Sequence, residues 1–90
     1  MKKYVIERNI PKVHCLGPEE LKGAAATSND ALAKLSPRVQ WLHSYVTPDK
    51  TFCIYLAEDE DAVREHAELS GFPANVISEV TTTIDPSTAH

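Results

Sequence analysis

Residues 39–57 have the pattern of a β-hairpin, in which two strands flank the turn segment 47–50. Both runs are rich in β-branched and aromatic residues, and the turn contains Pro48 and Asp49, which are typical turn residues. Strand side chains alternate between two faces. One face is predicted to be apolar and to carry Leu42, Val46, Phe52, Ile54 and Leu56. The other is predicted to carry Trp41, His43, Tyr45, Cys53 and Tyr55.

The division into these faces depends on the register of the hairpin, because paired residues of antiparallel strands lie on the same face. A two-residue loop at Pro48-Asp49 pairs Tyr45 with Phe52 and separates His43 from Cys53. A three- or five-residue loop, or one bulge, keeps His43 and Cys53 together. We adopt the bulged or odd loop as the prediction, because it leaves one face wholly apolar.

Further elements on both sides of the hairpin give the order β-α-β-β-α-β. Proline at the first helical position and acidic residues in a first turn favour helix starts. Glycine followed by proline favours a helix end. The predicted elements are a strand at Tyr4–Arg8, a helix from Pro18 (after Gly17 as N-cap) to Ser36-Pro37, a second helix from Glu58–Asp61 to Gly71, a strand at Val76–Ile84 and a polar tail from Asp85 to His90.

This order predicts an α+β protein with the ferredoxin-like βαββαβ topology, formed by residues 1–90 as a single domain. Its four-stranded antiparallel sheet has the order 4-1-3-2, and both helices cover one face. The covered face is predicted to add Tyr4, Ile6, Ser78 and Val80 to the apolar hairpin set. The open face is predicted to add Val5, Glu7, Ile77, Glu79 and Thr81 to the set that contains His43.

An open face that carries Trp41, Tyr45 and Tyr55 is too apolar to remain in water. We therefore expect a second copy to cover it, and two ferredoxin-like sheets stacked in this way form a dimeric α/β barrel.

Composition excludes several classes of partner. The net charge is −4 and no basic run is present, which argues against nucleic acid and anionic membranes. No apolar stretch is long enough for a transmembrane helix, and the short apolar start ends at Glu7, so we expect no secretion signal. Cys15 and Cys53 do not make a disulfide framework, and two thiols suit the reducing cytoplasm.

Six short segments together resemble a known family. They are Trp41–Thr47, Asp49-Lys50, Cys53–Tyr55, Arg64–Ala67, Gly71–Ala74 and Ser78–Val80. In this order and spacing they are similar to a family of small bacterial proteins that was first catalogued as a domain of unknown function and is described after a nickel-binding actinobacterial member. The resemblance extends over nearly the whole chain, and it implies a ferredoxin-like fold, a homodimer and nickel binding.

The candidate metal ligands are drawn from the predicted open face. His43 and Cys53 would have Cβ atoms about 5 Å apart if directly opposed, which suits one divalent transition-metal ion between imidazole and thiolate. Glu7 or Glu79 would add an oxygen ligand, and Tyr45 and Tyr55 would ligate weakly or orient the ligands. The structural alternatives are a core histidine beside an inert thiol, carboxylates at the barrel mouth and tyrosines that pack at the interface.

The roles of His14, Cys15 and His66 stay open. No glycine-rich phosphate loop and no serine nucleophile elbow is present. The sequence thus predicts a nickel-binding homodimer that is not itself an enzyme. The alternative is a cofactor-free enzyme of the dimeric α/β-barrel type, resembling a monooxygenase or an isomerase, which uses interior histidine and tyrosine as acid and base.

Overall fold

Four strands form one antiparallel sheet in the order β2-β3-β1-β4, and two helices lie against one of its faces. The computed structural model describes residues 1–89, and for His14 it describes the backbone alone. The elements are β1 (Lys2–Asn9), α1 (Pro18–Leu35), β2 (Val39–Val46), β3 (Lys50–Ala57), α2 (Glu60–Ser70) and β4 (Val76–Glu79). The α+β ferredoxin-like fold and the strand order are therefore confirmed. The tail prediction for His90 and the role of the His14 side chain lie outside the described residues.

Local chemistry sets the helix ends where the sequence predicts them. Gly17 precedes Pro18 at the start of α1, and the Asp59 carboxylate accepts a hydrogen bond of 2.8 Å from the Ala62 N–H at the start of α2. Gly71 closes α2 with φ of 78°, a left-handed conformation that glycine adopts without strain. Neither helix within residues 1–89 has the length and apolar character that crossing a bilayer requires.

The last strand is shorter than predicted. β4 ends at Glu79, whereas the sequence predicts a strand to Ile84. Its neighbour in the sheet is β1, which begins at Lys2, and the last contact between them is the Val80 N–H donating to the Lys3 carbonyl at 2.8 Å. Beyond that point only Lys2 of β1 is left, so β1 is too short to pair with a strand that continues to Ile84.

The core lies between the helices and one side of the sheet. On β1, Tyr4 and Ile6 are buried on this side, as predicted. They pair with Tyr55 and Cys53 of β3, which places those two residues on the same side. The buried core cluster consists of Tyr4, Ile6, Leu35, Val39, Cys53, Tyr55, Ala57, Ala62 and Val63.

The predicted faces of β3 are therefore wrong. Residues predicted for the open face but found on the helix side are Trp41, Cys53, Tyr55, Ile77 and Glu79. Residues predicted for the helix side but found on the open face are Phe52, Ile54, Leu56 and Ser78. The open face keeps Val5, Glu7, His43 and Tyr45 as predicted.

The turn and one bulge explain the difference. The loop has two residues, since the Thr47 N–H donates to the Lys50 carbonyl at 2.9 Å and Tyr45 pairs with Phe52. A bulge exists, but it lies between Trp41 and His43 rather than at the loop. It places Trp41 on the helix side and leaves His43 opposite Ile54 on the open side. The register that mixes His43 with apolar residues is thus the one the chain adopts.

Candidate functional site

The six predicted metal ligands are divided between the two sides of the sheet. His43, Tyr45 and Glu7 lie on the open face, whereas Cys53, Tyr55 and Glu79 lie on the side of the helices. Among the side chains that the structure describes, which leave out those of His14 and His90, no group of three or more from histidine, cysteine, aspartate and glutamate converges on a point where a metal ion could bind. His43 and Cys53 of one chain lie on opposite sides of the sheet, and ligation by His43 stays a prediction.

On the open face, an imidazole and a phenol are held against each other. His43 Nε2 and the Tyr45 hydroxyl share a hydrogen bond of 3.1 Å, and the two rings meet edge to face with centroids 5.0 Å apart. Both side chains are exposed. The bond engages Nε2 and orients the ring, so Nδ1 is the nitrogen left to coordinate a metal ion.

Glu7 and Lys50 form an ion pair elsewhere on this face. Glu7 Oε1 lies 3.5 Å from Lys50 Nζ. Phe52 separates Glu7 from Tyr45, because it pairs with Glu7 on one side and with Tyr45 on the other. Strands lie about 4.8 Å apart, so Glu7 is roughly 10 Å from the backbone of Tyr45 and does not join His43 in one coordination shell.

Glu79 and Cys53 have other partners. Glu79 Oε1 lies 3.5 Å from Lys2 Nζ at the exposed edge of the sheet. Cys53 is 6% exposed, and its thiol contacts the Thr51 hydroxyl at 3.6 Å. This environment agrees with the structural alternative, in which Cys53 is an inert buried thiol. Cys15 lies exposed in a short 3-10 turn at Val13–Cys15.

Beneath the helices, four polar side chains form a buried cluster that links β1, α1, β3 and α2. Ser28 is its centre, with its hydroxyl 3.1 Å from His66 Nε2 and 3.5 Å from the Tyr55 hydroxyl. The Tyr55 and His66 rings lie 5.0 Å apart. Arg8 completes the cluster, and its guanidinium donates to the Pro73 carbonyl at 2.7 Å.

The electrostatics of this cluster keep His66 and Tyr55 neutral. Burial, reinforced by the positive charge of Arg8, lowers the pKa of His66 to about 4, against the opposing hydrogen bond from Ser28. Burial likewise raises the pKa of Tyr55, although Ser28 and Arg8 oppose the shift. Arg8 is thus the charged member of the cluster at neutral pH.

Arg8 and Ser28 are functional candidates that the sequence reasoning missed. A signal for Arg8 was present, because it stands at the same alternation as Tyr4 and Ile6, which were correctly predicted to face the helices. An arginine at a position that points toward the core predicts a buried charge. Ser28 lies within the first predicted helix, but nothing local identifies its partners on β3 and α2.

Comparison with known proteins agrees with this fold. A family model described as "Nickel responsive protein SCO4226-like" matches residues 4–80. Among solved structures, the chain is similar to SCO4226 from Streptomyces coelicolor A3(2), with a TM-score of 0.77 and 15% sequence identity over 91% of this chain and 99% of that chain. At that identity the structural likeness shows a shared fold, and no curated protein matches the sequence. Because the family model spans most of the chain, the protein belongs to the SCO4226-like family of nickel-responsive proteins.

Proposed function

We propose that the protein is a cytoplasmic homodimer that binds nickel, or a similar divalent transition-metal ion, and has no catalytic activity of its own. The observation that carries this proposal is the exposed, oriented imidazole of His43 on a sheet face whose centre is apolar. Membership of a nickel-responsive family agrees with an imidazole as the leading ligand, since imidazole suits nickel, copper and zinc.

A second copy supplies the ligands that one chain lacks. Val5, Phe52, Ile54 and Leu56 are half-buried on the open face, and such an apolar strip is expected to be covered. In a two-fold interface the same surface patch of both subunits meets. A second His43 and a second Glu7 therefore reach the same interface, and the metal site forms between the subunits.

The helix-side residues have no role in this site. Cys53, Tyr55 and His66 lie beneath the helices, so a metal ion on the open face does not reach them. The enzymatic alternative used interior histidine and tyrosine together. The hydrogen-bonded pair of His43 and Tyr45 is the one that such an enzyme would use, and absence of Ni²⁺ binding would favour this alternative.

Calorimetric titration with Ni²⁺ of protein purified without an affinity tag tests the proposal. We expect His43→Ala to weaken binding about ten-fold or more, because a metal ligand is lost. Tyr45→Phe should weaken it by a smaller factor, because the ring keeps its place but loses the hydrogen bond that orients His43. Cys53→Ser is the matched control, since it changes a candidate ligand on the opposite side of the sheet and should bind like wild type.

The outcomes separate the candidate sites. Loss of binding in Cys53→Ser with normal binding in His43→Ala would place the metal beneath the helices and overturn the proposal. No Ni²⁺ binding by the wild-type dimer would overturn it as well.

A further inference from the structure

A cavity of about 430 Å³ lies between the first half of α1 and the helix side of the sheet. Its walls are mostly apolar, and its polar residues come from strands β1, β2 and β3 and from α1. It is on the opposite side of the sheet from His43, so it is separate from the proposed metal site. Its volume is in the range of pockets that hold small organic molecules, which is about 300 to 1,000 Å³.

Short side chains on α1 account for the cavity. Ala24, Ala25 and Ser28 of α1 line the cavity, and their short side chains leave its space unfilled. Leu16 and Leu21 also line the cavity, yet they are 37% and 41% exposed. The cavity therefore opens to solvent near the start of α1, through an entrance edged by leucines.

Arg8 gives this apolar cavity a positive charge. It lines the cavity and is 2% exposed. Its Nη1 donates to the Pro73 carbonyl, whereas its Nη2 is buried without a hydrogen-bond partner among the side chains that the structure describes. A buried guanidinium is costly unless an anion or further acceptors satisfy it.

Arg38 and Arg64 differ from Arg8 in that each forms an ion pair with a carboxylate. Arg38 contacts Glu58 and Glu65, and Arg64 contacts Glu60, all at the surface. No carboxylate within the described part of the chain forms an ion pair with Arg8. The Ser28 and Tyr55 hydroxyls line the same cavity and are the neutral hydrogen-bonding groups nearest in the buried cluster.

We propose that this cavity binds a small amphipathic monoanion, the carboxylate of an aliphatic or aromatic acid. Its carboxylate pairs with Arg8 and accepts hydrogen bonds from the nearby hydroxyls, and its hydrocarbon part lies among Leu16, Leu21 and Trp41. One guanidinium among neutral groups matches a single negative charge, whereas a phosphate ester or a dicarboxylate would bring a second negative charge for which the described lining residues offer no second cation. The apolar walls select a ligand with a hydrocarbon body.

Titration with octanoate and with 1-octanol, followed by two-dimensional NMR, tests this proposal on the full chain. The two probes share an eight-carbon body, and octanoate alone carries the charge. We expect octanoate to bind about ten-fold more tightly than octanol, because a charge-assisted pair with Arg8 adds to the same apolar contact. Arg8→Met should remove that preference and keep octanol binding, which also shows that the cavity is intact. Arg38→Met, at a surface arginine, is the matched control and should keep it.

A second pair of variants tests the location without touching Arg8. Ala24→Phe fills the cavity and should abolish binding of both probes, whereas Ala26→Phe places the same ring on the exposed side of α1 and should bind like wild type. Equal affinity for the two probes in wild type would overturn the charge recognition. Octanoate binding that survives Ala24→Phe would place the ligand elsewhere, and absence of binding to wild type would overturn the proposal altogether.

Discussion

At the scale of single residues, side chains of the same type differ in solvent exposure in a way that the sequence does not indicate. His43 and His66 are both histidines near aromatic rings, but His43 is exposed beside Tyr45 and His66 is fully buried beside Tyr55. The alternation in β1 correctly predicts the positions of Tyr4 and Ile6. It does not reveal that Arg8 leaves one nitrogen without a partner. That depends on Phe72 and Pro73, which are 64 and 65 positions further along the sequence.

Burial of a neutral His66 makes the stability of the fold depend on pH. The pKa of His66 is about 4 in the folded chain, against about 6.5 for an ordinary histidine in the unfolded one. Between these values the unfolded chain takes up a proton that the folded chain does not. The free energy of unfolding should therefore decrease as the pH falls below about 6.5, by about 2 kcal/mol between pH 7 and pH 5.

Chemical denaturation at pH 7 and pH 5 measures this effect. His66→Gln should lose most of the decrease, because glutamine does not titrate. A wild-type free energy of unfolding that is the same at both pH values would contradict the neutral, buried imidazole.

At the scale of elements, helix ends were predictable and the hairpin register was not. Gly17, Asp59 and Gly71 act through contacts within a few residues, so the sequence alone indicates where α1 and α2 begin or end. The faces of the hairpin depend on a bulge after Trp41, and a bulge shifts every later side chain without leaving a clear sequence signal. The apolar character of Phe52 and Ile54 favoured the wrong face, because the prediction placed the wholly apolar set of the hairpin on the helix side.

Deleting a residue at the bulge tests this register. Removal of Leu42 takes out the extra residue and leaves Trp41 opposite Tyr55 and His43 opposite Ile54, as in the native pairing. Leu42 is 43% exposed, so the deletion removes a side chain that is only partly buried. We expect the free energy of unfolding to change by no more than about 1 kcal/mol, and Ni²⁺ binding at His43 to persist.

Deletion of Ser44 is the matched control. It also removes the bulge, but it moves His43 to the position opposite Cys53, beneath the helices, and it takes away the hydroxyl that accepts from Trp41 Nε1 at 3.0 Å. This variant should be less stable and should lose Ni²⁺ binding. If instead the Leu42 deletion unfolds the chain while the Ser44 deletion changes neither the stability nor Ni²⁺ binding, the bulge is not where the structure has it.

At the scale of the whole molecule, the sheet separates two surfaces with different chemistry. The helix side holds the core and the cavity with Arg8, and the open side holds His43 over an apolar centre. Family membership and topology agree with the sequence prediction, because the first follows from the six short segments and the second from the order of elements. The division of chemistry between the two sides depends on the hairpin register, so the sequence did not reveal it.

The apolar centre of the open face should make the protein a homodimer. Light scattering at micromolar concentration should give twice the chain mass of 9.9 kDa. Ile54→Lys should reduce this to one chain mass without loss of helical circular dichroism, because a charge at the centre of a covered face opposes association while the core on the other side is unchanged. Thr81→Lys, at an exposed position beyond β4, is the matched control and should remain dimeric. Monomeric wild-type protein would remove the second set of ligands that the proposed nickel site requires, and a dimer that persists in Ile54→Lys would show that another surface joins the subunits.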